Sequence, residues 1–437
     1  MNLCMFTNTY LPHVGGVARS VSVLEKDLRS LGHQVLVVAP EYSETERASK
    51  KPGQKADRKT QPEEGVLRLP AIQNFNGSDF SLRIPMPFFV SEKVDAFAPD
   101  LIHSHHPYLL GDTALRTAQR IGLPVVFTHH TRYEQYVHHV TEDLETLRKF
   151  AQNLATEYAN LCSCVIAPSR SIAELIRSRG VDRPIHVIPT GVDLDFFSAG
   201  RGKEFRRRMD IPADAPVVGH VGRLAAEKNL PYLAEAVARF VEKNADSRFL
   251  VVGEGPGEKH IRDAFEDGLE DRLVMAGRLS GQELSDVYAA MDLFAFSSKS
   301  ETQGMVVAEA MAAAKPVVAL DAPGVREMIE DGKNGRLLPS DASASSFSEA
   351  LAQLLEDSRM LEAMSGQARQ TAESVSRENC ARKVVSLYES VCKEERRRRK
   401  DFSGLDDLFR RLQSEWELVS GKFSALKKAV DEDVVER

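Results

Sequence analysis

Tryptophan is nearly absent, with one residue in 437, and cysteine is scarce and odd in number. The five thiols Cys4, Cys162, Cys164, Cys380 and Cys392 show neither disulfide-like nor zinc-like spacing, which points to reduced thiols in a cytosol. Cys162-Ser163-Cys164 is one residue too tight for a redox pair. No run approaches the roughly 20 apolar residues of a membrane-spanning helix. Met1–Phe6 is apolar but short and lacks a basic lead-in, so we expect a first strand and not a signal peptide. Excess basic charge is missing as well. With 57 Lys and Arg against 64 Asp and Glu, the net charge is -7, which argues against a general nucleic-acid binder.

What is present is a soluble-type composition, 42% hydrophobic and 28% charged, in a chain long enough for two domains. Short apolar runs alternate with helical patterns almost throughout, which implies parallel sheets with helices on both faces. Asn2–Phe6, Gln34–Ala39, Leu101–His103, Val125–Thr128, Val165–Ala167 and Ile185–Ile188 read as strands. Pro189-Thr190-Gly191-Val192-Asp193 and the polar stretch Ser198–Arg208 read as an interdomain linker. A second alternation runs from Val217–Val221 to near Leu338. The fold expected is α/β, two doubly wound Rossmann-like domains facing an interdomain cleft, with an extra C-terminal helix. The domains expected are 1–190, 191–375, 376–395 as a helix crossing back, and 396–437 as a basic run with a patterned helix.

Two segments stand apart. Ser43–Glu64 is polar and carries Lys50, Lys51, Lys55, Arg58 and Lys59, as expected of a surface insert or an anion contact. After the basic run Arg396–Lys400, Leu405, Phe409, Leu412, Trp416, Val419, Phe423, Leu426 and Val430 recur in steps of four and three, a heptad seam. Ser403 with Asp406 reads as a capping box. Docking on the rest of the chain, self-association through residues 403–430 and an amphipathic helix on a membrane all fit this pattern, in that order.

The chemistry concentrates at Glu301 and Glu309, two carboxylates eight residues apart. Asp292-Leu293-Phe294-Ala295-Phe296 before them reads as a buried strand, and the chain after Gln303 as a helix opened by Gly304. A helix start presents unpaired N–H groups and partial positive charge, so the amides of Gln303, Gly304, Met305 and Val306 suit a phosphate. Carboxylates beside them accept hydrogen bonds, for which sugar hydroxyls are natural donors. Phosphate with hydroxyls means a nucleotide sugar. Arg223 and Lys228, in Gly222-Arg223-Leu224-Ala225-Ala226-Glu227-Lys228-Asn229, could grip its diphosphate.

Other motifs are weaker. Gly15 and Gly16, after the first strand, permit close backbone approach to a ligand. Val251-Val252-Gly253-Glu254-Gly255-Pro256-Gly257 is rejected as a dinucleotide fingerprint, because Pro256 breaks the helix entry and the third glycine comes early. His103, His105, His106, His129, His130, His138 and His139 cluster, but without the helical spacing and companion carboxylate of a zinc site. His103 to His106 end one strand and His129-His130 another, where a neutral imidazole can meet a sugar or an acceptor.

These pieces together resemble the family 4 retaining glycosyltransferases of GT-B fold. The match comprises Pro12 with Gly15-Gly16-Val17, Asp100-Leu101-Ile102-His103, Pro189-Thr190-Gly191-Val192-Asp193, Gly222-Arg223-Leu224 with Glu227-Lys228, Gly253 with Gly255-Pro256, Glu301 with Glu309, and Asn334-Gly335. It covers roughly residues 1–390. Phe127-Thr128-His129-His130-Thr131-Arg132-Tyr133-Glu134-Gln135-Tyr136 and Glu301-Thr302-Gln303-Gly304 look most like bacterial diacylglycerol glucosyltransferases. The resemblance implies that Arg223 and Lys228 bind the diphosphate and Glu309 the ribose hydroxyls. It places Glu301 and the Gln303–Val306 amides at the donor sugar and phosphate. His130 would contact sugar or acceptor, and Gly15 and Gly16 would close over the diphosphate. It implies no metal and no cofactor beyond a nucleotide-diphosphate sugar as co-substrate. The expected activity is hexosyl transfer with retention, UDP-glucose favoured as donor and a membrane lipid such as diacylglycerol as acceptor. Alternatives are a soluble or lipopolysaccharide-type glycan acceptor, or a non-catalytic nucleotide-sugar-binding protein. A cytoplasmic protein at the inner face of the membrane follows from the lipid acceptor.

Overall fold

The computed structural model describes residues 1–13, 15–42, 64–70, 87–132, 144–266 and 268–400. Nearly all of the polar insert after Tyr42, His138 and His139, and the heptad segment after Lys400 lie outside the described residues. The chain divides into two compact units, Met1–Ile188 with the chain from Ala381 on, and Pro189–Cys380.

Unit 1 is built on seven parallel strands: β1 (Asn2–Phe6), β2 (Gln34–Pro40), β3 (Val66–Leu69), β4 (Leu101–Ser104), β5 (Val125–Thr128), β6 (Cys164–Ala167) and β7 (Ile185–Val187). Their order is β3-β2-β1-β4-β5-β6-β7. Unit 2 has six parallel strands, β8 (Val217–Val221), β9 (Arg248–Val252), β10 (Leu273–Met275), β11 (Leu293–Phe296), β12 (Val317–Leu320) and β13 (Gly335–Leu338), in the order β10-β9-β8-β11-β12-β13. The sequence dictates this arrangement simply. Leu-Phe-Ala-Phe in β11 and Val-Val-Ala-Leu in β12 are buried at every position. An unbroken apolar run is what a strand needs when helices cover both faces. Successive side chains enter opposite cores: Phe294 and Phe296 pack with Tyr288 and Met311, while Leu293 and Ala295 pack with Leu233 and Phe347.

Each sheet reverses its winding once, where β1 meets β4 and where β8 meets β11. Loops leaving two such strands diverge to opposite faces and open a crevice at their carboxyl ends. Both candidate constellations lie at such points, each within its own unit.

Two features depart from the sequence expectation. Ser198–Arg208 is not linker: it contains the Gly202–Arg208 helix, and Phe205 is buried in the unit 2 core. Val66–Leu69 adds an edge strand, held to β2 from Val37↔Val66 to Pro40↔Leu69. The helix Arg377–Lys400 starts in unit 2 and belongs from Ala381 to unit 1. Its Val384, Leu387, Tyr388 and Cys392 are buried at three- and four-residue steps, the stripe of a packed helix. All five cysteines are buried and none is in a disulfide.

Candidate functional site

The site in unit 2 is assembled by the loops after β8 and β11. Past β8, Leu224 is fully buried and pins the first loop. Its N–H donates to the Glu254 carbonyl at 2.9 Å, and its carbonyl accepts from Gly257 N–H at 2.8 Å. A Cβ on Gly253 or Gly255 would fall 1.8 Å from the Gly222 oxygen or 2.3 Å from the Leu224 oxygen. The glycine-rich stretch therefore packs one loop against another, which is the physical reason for its dinucleotide-like spacing.

A 3-10 turn, Ala226–Lys228, carries the first cation. Ser297 and Ser298, just beyond β11, fasten that turn: the Ser297 hydroxyl lies 3.0 Å from the Lys228 carbonyl, and the Ser298 hydroxyl donates to the Glu227 carbonyl at 3.2 Å. This brings the Lys228 ammonium to Glu301, Nζ to Oε1 at 2.5 Å. Their side chains are 19% and 15% exposed, so this is a largely desolvated ion pair, in which removing either partner strands the other's charge. Arg223 is not drawn into the pair. It is 61% exposed and bonds Glu227 on its own loop.

Gln303 makes two 2.7 Å bonds to the backbone of Thr190, one in each direction. Its side chain is thus spent on holding the loop, and only its backbone remains for a ligand. Gly304 caps the Met305–Ala312 helix with φ 70°, a left-handed conformation that favours glycine. Gly324 of the neighbouring loop lies so close that a Cβ there would stand 2.8 Å from Gln303 N. Val307 N–H turns to the Gly304 carbonyl at 2.9 Å, whereas the amides of Met305 and Val306 have no earlier carbonyl within the helix. Glu309, one face further along, is 2% exposed, and Tyr288 donates its hydroxyl to Oε2 at 2.8 Å.

Sequence reasoning missed four contributors: Tyr288, Ser297, Ser298 and His220. Tyr288 looked like an ordinary core aromatic. His220, in β8, is fully buried, with Nδ1 3.1 Å from the Ala295 carbonyl and Nε2 without a partner. Burial, with the Lys228 charge adding to it, pushes His220 down to about 4, so it is neutral at ordinary pH. Asn334, named for its motif, is structural: its side chain bonds Met328 O and Thr371 Oγ1 at 2.9 Å and accepts from Glu330 N at 2.8 Å. Asp193 and Asp195 have the spacing of an Asp-x-Asp cation motif, but Asp193 caps the Leu194–Ser198 helix and pairs with Arg377 at 2.8 Å.

In unit 1 the histidines separate into two sets. His103 is wholly buried between the Tyr388 hydroxyl (2.6 Å from Nδ1) and Thr128 Oγ1 (2.7 Å from Nε2), and serves to anchor the C-terminal helix. His105 and His130, from the ends of the paired strands β4 and β5, meet Nδ1 to Nε2 at 2.9 Å. Burial, followed by His129, lowers His130 to about 3, and burial with three neighbouring imidazoles lowers His105 further. Both rings are neutral, so one proton lies between them. His105 Nε2 is buried without a partner. A bare lone pair there costs less than a stranded N–H, so the shared proton belongs on His105 Nδ1. His130 then carries its own proton on Nδ1. Gly15 is extended and a Cβ on it would sit 3.1 Å from His13 Nε2, while Gly16 has open space. Among the described residues, no group of three or more His, Cys, Asp or Glu side chains is placed to hold a metal ion.

Comparison with known proteins gives the family. Residues 14–196 match the Glycosyltransferase Family 4 model, and residues 202–371 match Glycosyl transferases group 1. A GDP-mannose-dependent alpha-mannosyltransferase of Mycobacterium tuberculosis is 30% identical over 359 residues, covering 82% of this chain and 89% of that one. An alpha-monoglucosyldiacylglycerol synthase of Acholeplasma laidlawii is 28% identical, over 77% of this chain and 84% of its own. In fold, the Anabaena protein HepE in complex with UDP superposes with a TM-score of 0.68 at 20% identity, over 89% of this chain and all of that one. The chain belongs to the family 4 glycosyltransferases of GT-B fold, hexosyltransferases that draw their sugar from a nucleotide donor.

Proposed function

We propose that this enzyme transfers glucose from UDP-glucose to a lipid hydroxyl such as that of diacylglycerol, with retention of configuration. The observation that carries the donor assignment is the Lys228–Glu301 pair, 2.5 Å apart and mostly buried, beside the start of the Met305–Ala312 helix. Lys228, with the more exposed Arg223, meets the diphosphate; the Met305 and Val306 amides take its oxygens. Glu301 accepts from sugar hydroxyls, and Glu309 from the ribose. As the bond from the anomeric carbon to the phosphate oxygen breaks, negative charge collects on the departing diphosphate, where Lys228 and the helix start stabilise it. The acceptor hydroxyl forms the new bond to the anomeric carbon and passes its proton to the departing phosphate oxygen. His130, neutral, donates from Nδ1 to sugar or acceptor, and the Gly15-Gly16 loop covers the phosphates.

The lipid acceptor is supported by the Acholeplasma relative and by the Phe127–Tyr136 and Glu301–Gly304 segments. It carries with it a cytoplasmic location at the membrane face. Mannose from GDP-mannose is the second reading, favoured by the 30% identical mycobacterial relative. One experiment separates them: purified enzyme, with chelator present, is incubated with labelled UDP-glucose, other UDP-sugars or GDP-mannose and total lipid extract. Label passing into organic solvent from UDP-glucose is the expected result. Organic label from GDP-mannose alone establishes the second reading, and water-soluble product alone removes the lipid acceptor.

A further inference from the structure

We propose that Tyr288 is a positioning residue for the nucleotide, acting through Glu309; this rests on the ribose role given to Glu309 above. The Gln282–Ala290 helix presents Tyr288 to the Met305–Ala312 helix, and its ring is wedged edge-on against Phe197 (5.4 Å) and beside Phe294 (5.9 Å). The whole side chain is buried. Its hydroxyl has one hydrogen to give, with Glu309 Oε2 at 2.8 Å and the Val306 carbonyl at 3.4 Å both within reach. The shorter, charge-assisted bond takes the proton.

This placement does two things. A carboxyl group that is 2% exposed needs a hydrogen-bond partner, and the hydroxyl supplies one at Oε2. The plane of the carboxylate is thereby fixed, which a ribose with two adjacent hydroxyls requires if both are to be met at once. The same oxygen lies over the first turn of the helix whose Met305 and Val306 amides face the phosphate. Tyr288 therefore holds the ribose-side and phosphate-side contacts in register, with no contact of its own to the nucleotide. The bland alternative is a core aromatic whose hydroxyl merely avoids being stranded.

Tyr288→Phe keeps the ring and removes only the hydroxyl, so the core stays filled. Binding of UDP and GDP, and of the dideoxy counterparts that lack both ribose hydroxyls, is measured by calorimetry for wild type, Tyr288→Phe and Glu309→Gln. For whichever nucleotide binds, Tyr288→Phe should lose about tenfold in affinity, the scale of one charge-assisted hydrogen bond. It should lose nothing for the dideoxy form, so its preference for ribose shrinks. Equal losses for both forms, or a ribose preference in Tyr288→Phe as large as that of the wild type, would overturn the positioning role. If Glu309→Gln also keeps the full ribose preference, or wild type binds neither nucleotide, the ribose reading of Glu309 fails first.

Discussion

Lys228→Ala lowers kcat/KM for transfer by about two to three orders of magnitude, the usual effect of deleting one group that stabilises charge in the transition state. The size follows from the surroundings. The ammonium is fixed by a turn tied to Ser297 and Ser298, and it is only 19% exposed. Little water competes with it, and no reorganisation is needed as charge reaches the departing diphosphate. Its loss also leaves Glu301 largely buried without its cation, a repulsive charge beside the phosphate site. Arg223→Ala should cost much less, about tenfold or under, because that side chain is 61% exposed and already engaged with Glu227. Steady-state kinetics on both variants, with thermal unfolding to check that they fold, gives the comparison. A Lys228→Ala enzyme within threefold of wild type, or an Arg223→Ala enzyme that is the worse of the two, would contradict the assignment.

The second large effect is on stability. Burial holds His103 and His130 at about 3 and His220 at about 4, and lowers His105 well below its ordinary value. In the unfolded chain all four titrate near the ordinary value of about 6.5. Between these limits the unfolded state binds more protons, so stability rises with pH there. It is complete above about 6.5 and is lost as pH falls from that value towards the folded values. Each histidine costs about 1.4 kcal/mol per pH unit once well below 6.5. Several acting together reach the scale of a domain's whole margin of about 5–15 kcal/mol. Asp95 and Asp286, whose carboxyls are lowered, act in the same direction but in a lower window: their contribution is present above about 3.8 and lost only below it. The loss above pH 4 therefore belongs to the histidines. Scanning calorimetry at about pH 7, 6 and 5 should show the unfolding temperature falling steeply, chiefly for unit 1, which holds three of the four. A constant temperature across that range would mean that these rings are protonated in the fold.

How legible was this in the sequence? The central strands were, because Leu-Phe-Ala-Phe and Val-Val-Gly-His-Val are runs that a doubly covered parallel sheet demands. Val66–Leu69 was not: Arg68 interrupts it and a polar insert precedes it, so no period stands out. Ser198–Arg208 misled through its charges, while Phe205 alone decided its packing. At the site, Gly304 before an apolar helix marked the helix start, and the two carboxylates stood out on either side of it. Their partners did not show, because partnership depends on where elements meet. Lys228 and Glu301 come together only through two serines with no motif of their own, and Glu309 depends on a tyrosine from another helix. The histidine groups were visible as strand ends, but the sharing of one proton between His105 and His130 needed the pairing of β4 with β5.

The most direct test of the donor assignment is a calorimetric titration of wild type and Glu309→Ala with UDP and with GDP. One nucleotide should bind the wild type, and bind the variant more weakly by about 1.5–3 kcal/mol, the cost of removing a charged hydrogen-bond partner. Equal affinity of wild type and variant would contradict the ribose contact, and no binding of either nucleotide would contradict the donor site itself.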